Sequence, residues 1–219
     1  MRALQNDHVR TRSRVSGSPT AEAFFRTYGR PGAVVLVEGV TDQLAVAALA
    51  RRHGRDLESE GVAVVPIGGA QAIGNFLELF GPRGLGVRLA GLCDAGEERY
   101  FQRALERAGL GSNLTRPDME RLGFYVCVKD LEDELIRALG ATDVERVVDA
   151  AGELESFRIF QKQPAWRERP PEEQLRRFLC SQSRRKIQAS LVNALDLARV
   201  PRPLDRVLAH VSPNTMPTS

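Results

Sequence analysis

Ala33-Val34-Val35-Leu36-Val37-Glu38-Gly39-Val40-Thr41-Asp42 is the stretch from which the rest of the chain can be read. Ala33–Val37 is an apolar run with no polar break, and the pattern changes at Glu38. From Thr41 to Arg52 the residues Leu44, Ala45, Ala48 and Leu49 recur at helical spacing. A strand buried on both faces that passes into a helix is the repeating unit of a parallel α/β sheet. Glu38 and Asp42 then fall at the carboxyl end of a strand, the rim where such sheets bind ligands.

The same handover recurs downstream. Val62–Pro66 reads as a second strand, Ile67-Gly68-Gly69 as a tight turn, and a helix follows through Phe80. Val87–Cys93 is a third strand ending on Asp94. Glu97–Ala108 is a helix with Phe101, Leu105 and Ala108 inward, Gly123–Val128 a fourth strand, and Leu131–Leu139 the next helix. Upstream, Ser18-Pro19-Thr20 opens a helix that runs to about Tyr28 and stops at Gly29-Arg30-Pro31-Gly32. After Gly140 only helical patterns remain, at 143–151, 154–161, 172–179, 184–198 and near 205–210. The expected fold is α/β, a parallel four-stranded sheet flanked by helices with a C-terminal helical extension. The expected organisation is a disordered basic tail over 1–17, a sheet domain over 18–140 with its core at 33–140, and the extension over 141–212.

Composition narrows the classes. With 219 residues and 42% hydrophobic content the chain can bury a core. No apolar run approaches the ~20 residues of a membrane span. The polar, arginine-bearing N-terminus lacks a signal-peptide core, so a cytoplasmic protein without a membrane partner is expected. Cys93, Cys127 and Cys180 form no CxxC pair, which argues against a zinc site or a disulfide framework. Lys129, Lys162 and Lys186 are the only lysines, so the net charge of +3 rests on arginine. Positive charge gathers in 2–30 and 158–186, and such segments suit phosphate backbones.

The chemistry lies in the acids. No GxGxxG follows the first strand, and no GxxxxGK[ST] occurs. An acid at a strand end repels a bare phosphate but suits a cation that then recruits one. Glu38 and Asp42 stand four residues apart across a strand-to-helix turn. Asp94 ends another strand, and Lys129-Asp130-Leu131-Glu132-Asp133-Glu134 follows the fourth. Carboxylates converging there repel one another unless a divalent ion or a basic group compensates them.

At these residues the chain resembles a known family. Val34 to Asp42 is similar to the first motif of Toprim domains, the fold shared by topoisomerases, bacterial primases and several nucleases. Val64-Val65-Pro66-Ile67-Gly68-Gly69 resembles the second strand and its glycine turn, and Gly91-Leu92-Cys93-Asp94 the strand bearing the Asp-x-Asp motif. Asp130-Leu131-Glu132 resembles the Asp-Leu-Glu signature of OLD-family (overcoming lysogenization defect) nucleases. The resemblance covers about Ala33–Leu139. It implies a Toprim, Rossmann-like sheet and one or two Mg²⁺ or Mn²⁺ ions used to cut phosphodiester bonds. By position it places Glu38, Asp42 and Glu132 on one ion and Asp94 on the other, with Glu38 and Asp94 catalytic.

The chain departs from that pattern at Gly96, where the Asp-x-Asp motif has its second acid. Glu97 or Glu98, at the start of the following helix, is the expected substitute with its longer reach, Glu97 being placed among the metal ligands; the alternative is a weak or absent second ion site. Ser183-Arg184-Arg185-Lys186-Ile187-Gln188-Ala189 loosely resembles the late segment that carries a lysine in OLD nucleases. Lys186 is therefore expected to face the scissile phosphate, with Arg184 and Arg185 as further nucleic-acid contacts. Asp133 and Glu134 read as solvated helix residues, and Trp166 as a packing anchor. The expected function is a divalent-metal-dependent endonuclease acting on DNA. A non-catalytic metal- and nucleic-acid-binding module, or a nucleotidyl transferase, are the alternatives. Only about 32 residues precede the first strand, so the family's ATPase domain is expected to be absent and supplied by a separate partner. A homodimer is the expected assembly.

Overall fold

The structure, a computed structural model, describes residues 21–180 and 185–212, without the side chains of Arg185 and Lys186. The proposed tail at 1–17 and the candidate Arg184 lie outside the described residues. Strands β1 (Ala33–Val37), β2 (Val62–Pro66), β3 (Arg88–Asp94) and β4 (Phe124–Cys127) form one parallel sheet in the order β2-β1-β3-β4. Leu36 pairs with Gly91, and Asp94 with Cys127. Glu38, Asp94 and the residues after β4 therefore emerge together at the carboxyl rim, as the strand-to-helix pattern predicts.

Each strand is buried on both faces, and its alternate residues enter two separate cores. Ala33, Val35 and Val37 face one, while Val34 and Leu36 face the other. The second core is closed by α1 (Ala21–Tyr28), α3 (Ile73–Phe80), α4 (Glu98–Arg107) and α5 (Arg116–Arg121). The first is closed by α2 (Val40–Arg52) and α6 (Leu131–Leu139), together with the C-terminal helices. These are α7 (Ala141–Ala150), α8 (Leu154–Gln161), α9 (Pro171–Leu179), α10 (Arg185–Ala194) and α11 (Arg202–His210). Val144, Phe157, Leu175, Leu191 and Val207 are fully buried in the same cluster as Val35 and Leu49. Arg52 also donates to the Val192 carbonyl at 2.8 Å, joining α2 to α10.

Three details differ from the sequence reading. Helix α5 has no counterpart in it, although Thr115 caps it by accepting from the Asp118 N–H. The helix predicted at 184–198 ends at Ala194 and gives way to a short 3-10 turn at Leu197–Arg199, where Asp196 accepts from the Ala198 N–H. Helix α11 begins at Arg202 rather than 205, since Pro203 sits in its first turn, where no amide donor is needed. Trp166 packs its ring 5.2 Å from Phe160, and its carbonyl accepts from Gln174 at 2.7 Å, as an anchor would. No helix among the described residues is long and apolar enough to cross a membrane.

Candidate metal centre

Glu38 is held from two sides, by the turn after β2 and by the end of β3. The Ile67 N–H donates to the Val37 carbonyl at 2.8 Å, and the Gly68 and Gly69 N–H groups donate to the Glu38 carbonyl at 3.1 and 3.2 Å. Gly68 and Gly69 have φ of +82° and +119°, the region that favours glycine. The glycine turn after β2 thus clamps the end of β1. The Glu38 Oε1 accepts the Asp94 N–H at 2.9 Å, tying its side chain to the end of β3. Asp42 stands in the first turn of α2, where its Oδ2 accepts the Gly39 N–H at 2.8 Å.

The third group comes from the β4–α6 junction. Asp130 caps α6, its Oδ1 accepting the Asp133 N–H at 2.8 Å. Its other oxygen receives the Arg176 Nε at 2.6 Å and Nη2 at 2.5 Å, from α9. Glu132 follows in the first turn of α6. Asp133 and Glu134 are not solvated, contrary to the sequence reading; they are 8% and 6% exposed. Asp133 pairs with Lys129 at 3.0 Å and Arg137 at 2.8 Å. Glu134 accepts the Val128 N–H at 2.8 Å and pairs with Arg137. Burial is affordable for them because every charge is matched, and they fasten α6 to the end of β4.

The electrostatics show which acids share space. Asp94 is pushed up to about 8, chiefly by burial and then by the charges of Glu38, Asp42, Asp130 and Glu132. Asp42 is raised to about 6 by burial, with Glu38 and Asp130 adding and the Gly39 bond opposing. Glu132 is raised to about 7 by burial and then by Asp130 and Asp42. Glu38 is raised by burial, the Asp94 amide opposing and Glu97 adding. Four carboxyls from three strand ends therefore repel one another through partly dry space. None of Glu38, Asp42, Asp94 and Glu132 forms a salt bridge among the described residues.

The two acids beside Gly96 are separated by the fold. Glu98 forms a fork with Arg116, at 3.0 and 2.5 Å, and is spent there. Glu97 stands just before α4, with its N–H on the Asp94 carbonyl at 2.9 Å, and its charge reaches Glu38. Gly96 is exposed, and a Cβ there would meet no atom within 4 Å.

Two residues at the rim carry no local sequence signal. Arg176 reaches Asp130 across 46 positions. Cys180, at the end of α9, places its sulfur with carboxylate oxygens of Asp130 and Glu132, all within 4.8 Å of one another. Cys93 and Cys127 are buried. Arg185 and Lys186 open α10, but their side chains, like all of Arg184, lie outside the described residues.

Comparison with known proteins bears on the fold. Residues 32–95 match the family model described as overcoming lysogenization defect protein-like, TOPRIM domain. The chain is similar in structure to the C-terminal region of the Burkholderia pseudomallei OLD protein, with a TM-score of 0.65 and 18% identity. That match covers 83% of this chain and 97% of the other. The C-terminal region of the Xanthomonas campestris pv. campestris OLD protein is similar as well, with a TM-score of 0.64, 22% identity, and coverage of 83% and 94%. No curated protein matches the chain in sequence. Glu38, Asp42 and Asp94 lie within the residues that the family model matches, and the structural likeness extends beyond them over 83% of this chain.

Proposed function

We propose that this chain is a divalent-cation-dependent nuclease module that cleaves phosphodiester bonds of nucleic acid, with DNA as the first substrate to test. One observation carries the reading: Glu38 is bonded to the Asp94 amide at 2.9 Å, so the acids that end β1 and β3 meet at one point of the rim. Asp42 and Glu132 lie close enough to raise the proton affinity of the same group. An all-carboxylate donor set with no salt bridge among the described residues fits a hard cation, magnesium or manganese.

Glu38, Asp42, Asp94 and Glu132 would hold the ion or ions, and Glu97 stands in for the acid missing at Gly96. Bound there, the metal would supply positive charge for the phosphate oxygens and a more acidic water. The protein's own contribution is position. The Gly68–Gly69 clamp fixes the Glu38 backbone, the Asp94 amide fixes its carboxylate, and burial around β3 keeps bulk water from screening the charges. Lys186, with Arg184 and Arg185, is assigned to the scissile phosphate and the neighbouring backbone by resemblance to the family alone. A separate ATPase and a second copy of the chain are the protein partners this reading implies.

The test is cleavage of plasmid and single-stranded DNA in Mg²⁺ or Mn²⁺. Wild-type protein should cut, and the Glu38→Gln, Asp94→Asn double variant should lose about 100-fold or more of the rate. Full cleavage by the double variant sinks the assignment. The second reading, a non-catalytic cation-binding module, is favoured by Gly96. It predicts one bound Mn²⁺ by calorimetry and no cleavage, whereas two bound ions favour hydrolysis.

A further inference from the structure

We infer that Arg176 is a built-in cation that keeps Asp130 out of the divalent-ion ligand set and closes a second, sulfur-containing cation position made by Asp130, Glu132 and Cys180. The inference rests on reading the rim as a cation site. Both oxygens of Asp130 are already engaged: Oδ1 by the Asp133 amide at 2.8 Å and Oδ2 by the Arg176 fork at 2.5 and 2.6 Å. Asp130 is 8% exposed and its Oδ2 takes two Arg176 N–H groups, so an ion reaching that oxygen would have to displace Arg176. Yet Asp130, Glu132 and Cys180 bring one ligand atom each within 4.8 Å of one another, near enough that a small side-chain movement would gather three ligands around one metal.

The donor chemistry says what that position would take. Two carboxylates and a thiolate favour zinc or cadmium, whereas the carboxylates of Glu38, Asp42 and Asp94 favour magnesium or manganese. Glu132 borders both. A zinc-class ion held on the Cys180 side would draw Glu132 away from the other acids. A guanidinium prevents this permanently, because it neither deprotonates nor exchanges. Arg176 belongs to α9 and Asp130 to the cap of α6, so the C-terminal helices supply the residue that sets ion choice at the rim. A plain tether between α9 and α6 would account for the ion pair but would leave ion selectivity untouched when removed.

The experiment is a Cd²⁺ titration of the full chain, read by the ultraviolet thiolate-to-cadmium absorption band. Wild-type protein is expected to show no band at stoichiometric Cd²⁺. Arg176→Gln should gain a band that saturates at one equivalent, and Arg176→Gln, Cys180→Ser should lose it. A saturating band in wild type, or none in a folded Arg176→Gln variant, overturns the inference. Asp130→Asn is the second variant, since it leaves the guanidinium in place. It should show no cadmium band, and the freed Arg176 should turn to Glu132 and weaken Mn²⁺ binding about tenfold by calorimetry. Unchanged Mn²⁺ affinity in Asp130→Asn also overturns it. Failure of wild type to bind Mn²⁺ at all would instead sink the cation reading of the rim, which the cadmium band does not measure.

Discussion

Asp94 faces the charges of four other carboxyls, and its pKa near 8 has a consequence for stability. A carboxyl whose folded pKa lies above its unfolded value binds its proton more tightly in the native state. Its ionisation therefore costs stability as pH rises from about 4, the unfolded value, toward the folded value. Asp42, Glu132 and Asp94, raised to about 6, 7 and 8, act in the same direction. Metal-free protein should thus melt at lower temperature at pH 8 than at pH 5.5, and Mn²⁺ should reverse the loss at pH 8. A thermal melt at both pH values, with and without Mn²⁺, checks this. Asp94→Asn should raise the metal-free melting temperature at pH 8, by about 2–4 °C for each kcal/mol of repulsion removed. At this scale the places of Glu38 and Asp94 were legible because each ends an apolar run, and that of Asp42 because it follows Glu38 by four residues across a strand-to-helix turn. Asp133 and Glu134 were misread because their partners Lys129 and Arg137 gave no signal of burial. Arg176 and Cys180 escaped notice because only the fold brings α9 to the cap of α6.

The strands hold these acids level, and Gly91 is where that arrangement is tightest. A Cβ at Gly91 would lie 2.7 Å from the Phe124 ring and 3.0 Å from the Leu36 carbonyl, so β3 cannot accept one without moving β1 or β4. Gly91→Ala should cost about 1–3 kcal/mol in chemical denaturation. It should also weaken Mn²⁺ binding, because Asp94 lies three residues on in the same strand. The elements themselves were largely readable. β1 and β2 fall on the predicted residues, the bounds of β3 and β4 shift by one residue, and Leu131–Leu139 is a helix over the same residues as predicted. Helix α5 was passed over although Thr115 and Asp118 stand at capping-box spacing with Pro117 between them. It is a six-residue helix with one buried apolar residue, Met119, too short to show a periodic stripe.

In the whole molecule, one hydrophobic cluster joins β1 and α2 to the helices that follow Gly140, and the same helices deliver Arg176 to the rim. Leu191→Ala, at a fully buried position of α10, should therefore cost about 2–5 kcal/mol. The loss should appear as one shifted transition by both circular dichroism and intrinsic fluorescence. A separate early transition confined to the C-terminal helices would contradict a shared core. The parallel sheet and its acidic rim were readable from strand-to-helix handovers. The packing of α10 on α2 was not, since contacts between residues 140 positions apart leave no local pattern. The central claim is that acids from separate strand ends form one cation site, and diffraction from crystals soaked in Mn²⁺ measures it most directly. The account predicts an anomalous peak at the rim with its ligands drawn from Glu38, Asp42, Asp94 and Glu132, and Arg176 still on Asp130. No peak at the rim, or a peak held by Asp130 and Cys180 with Glu38 and Asp94 unliganded, would contradict it.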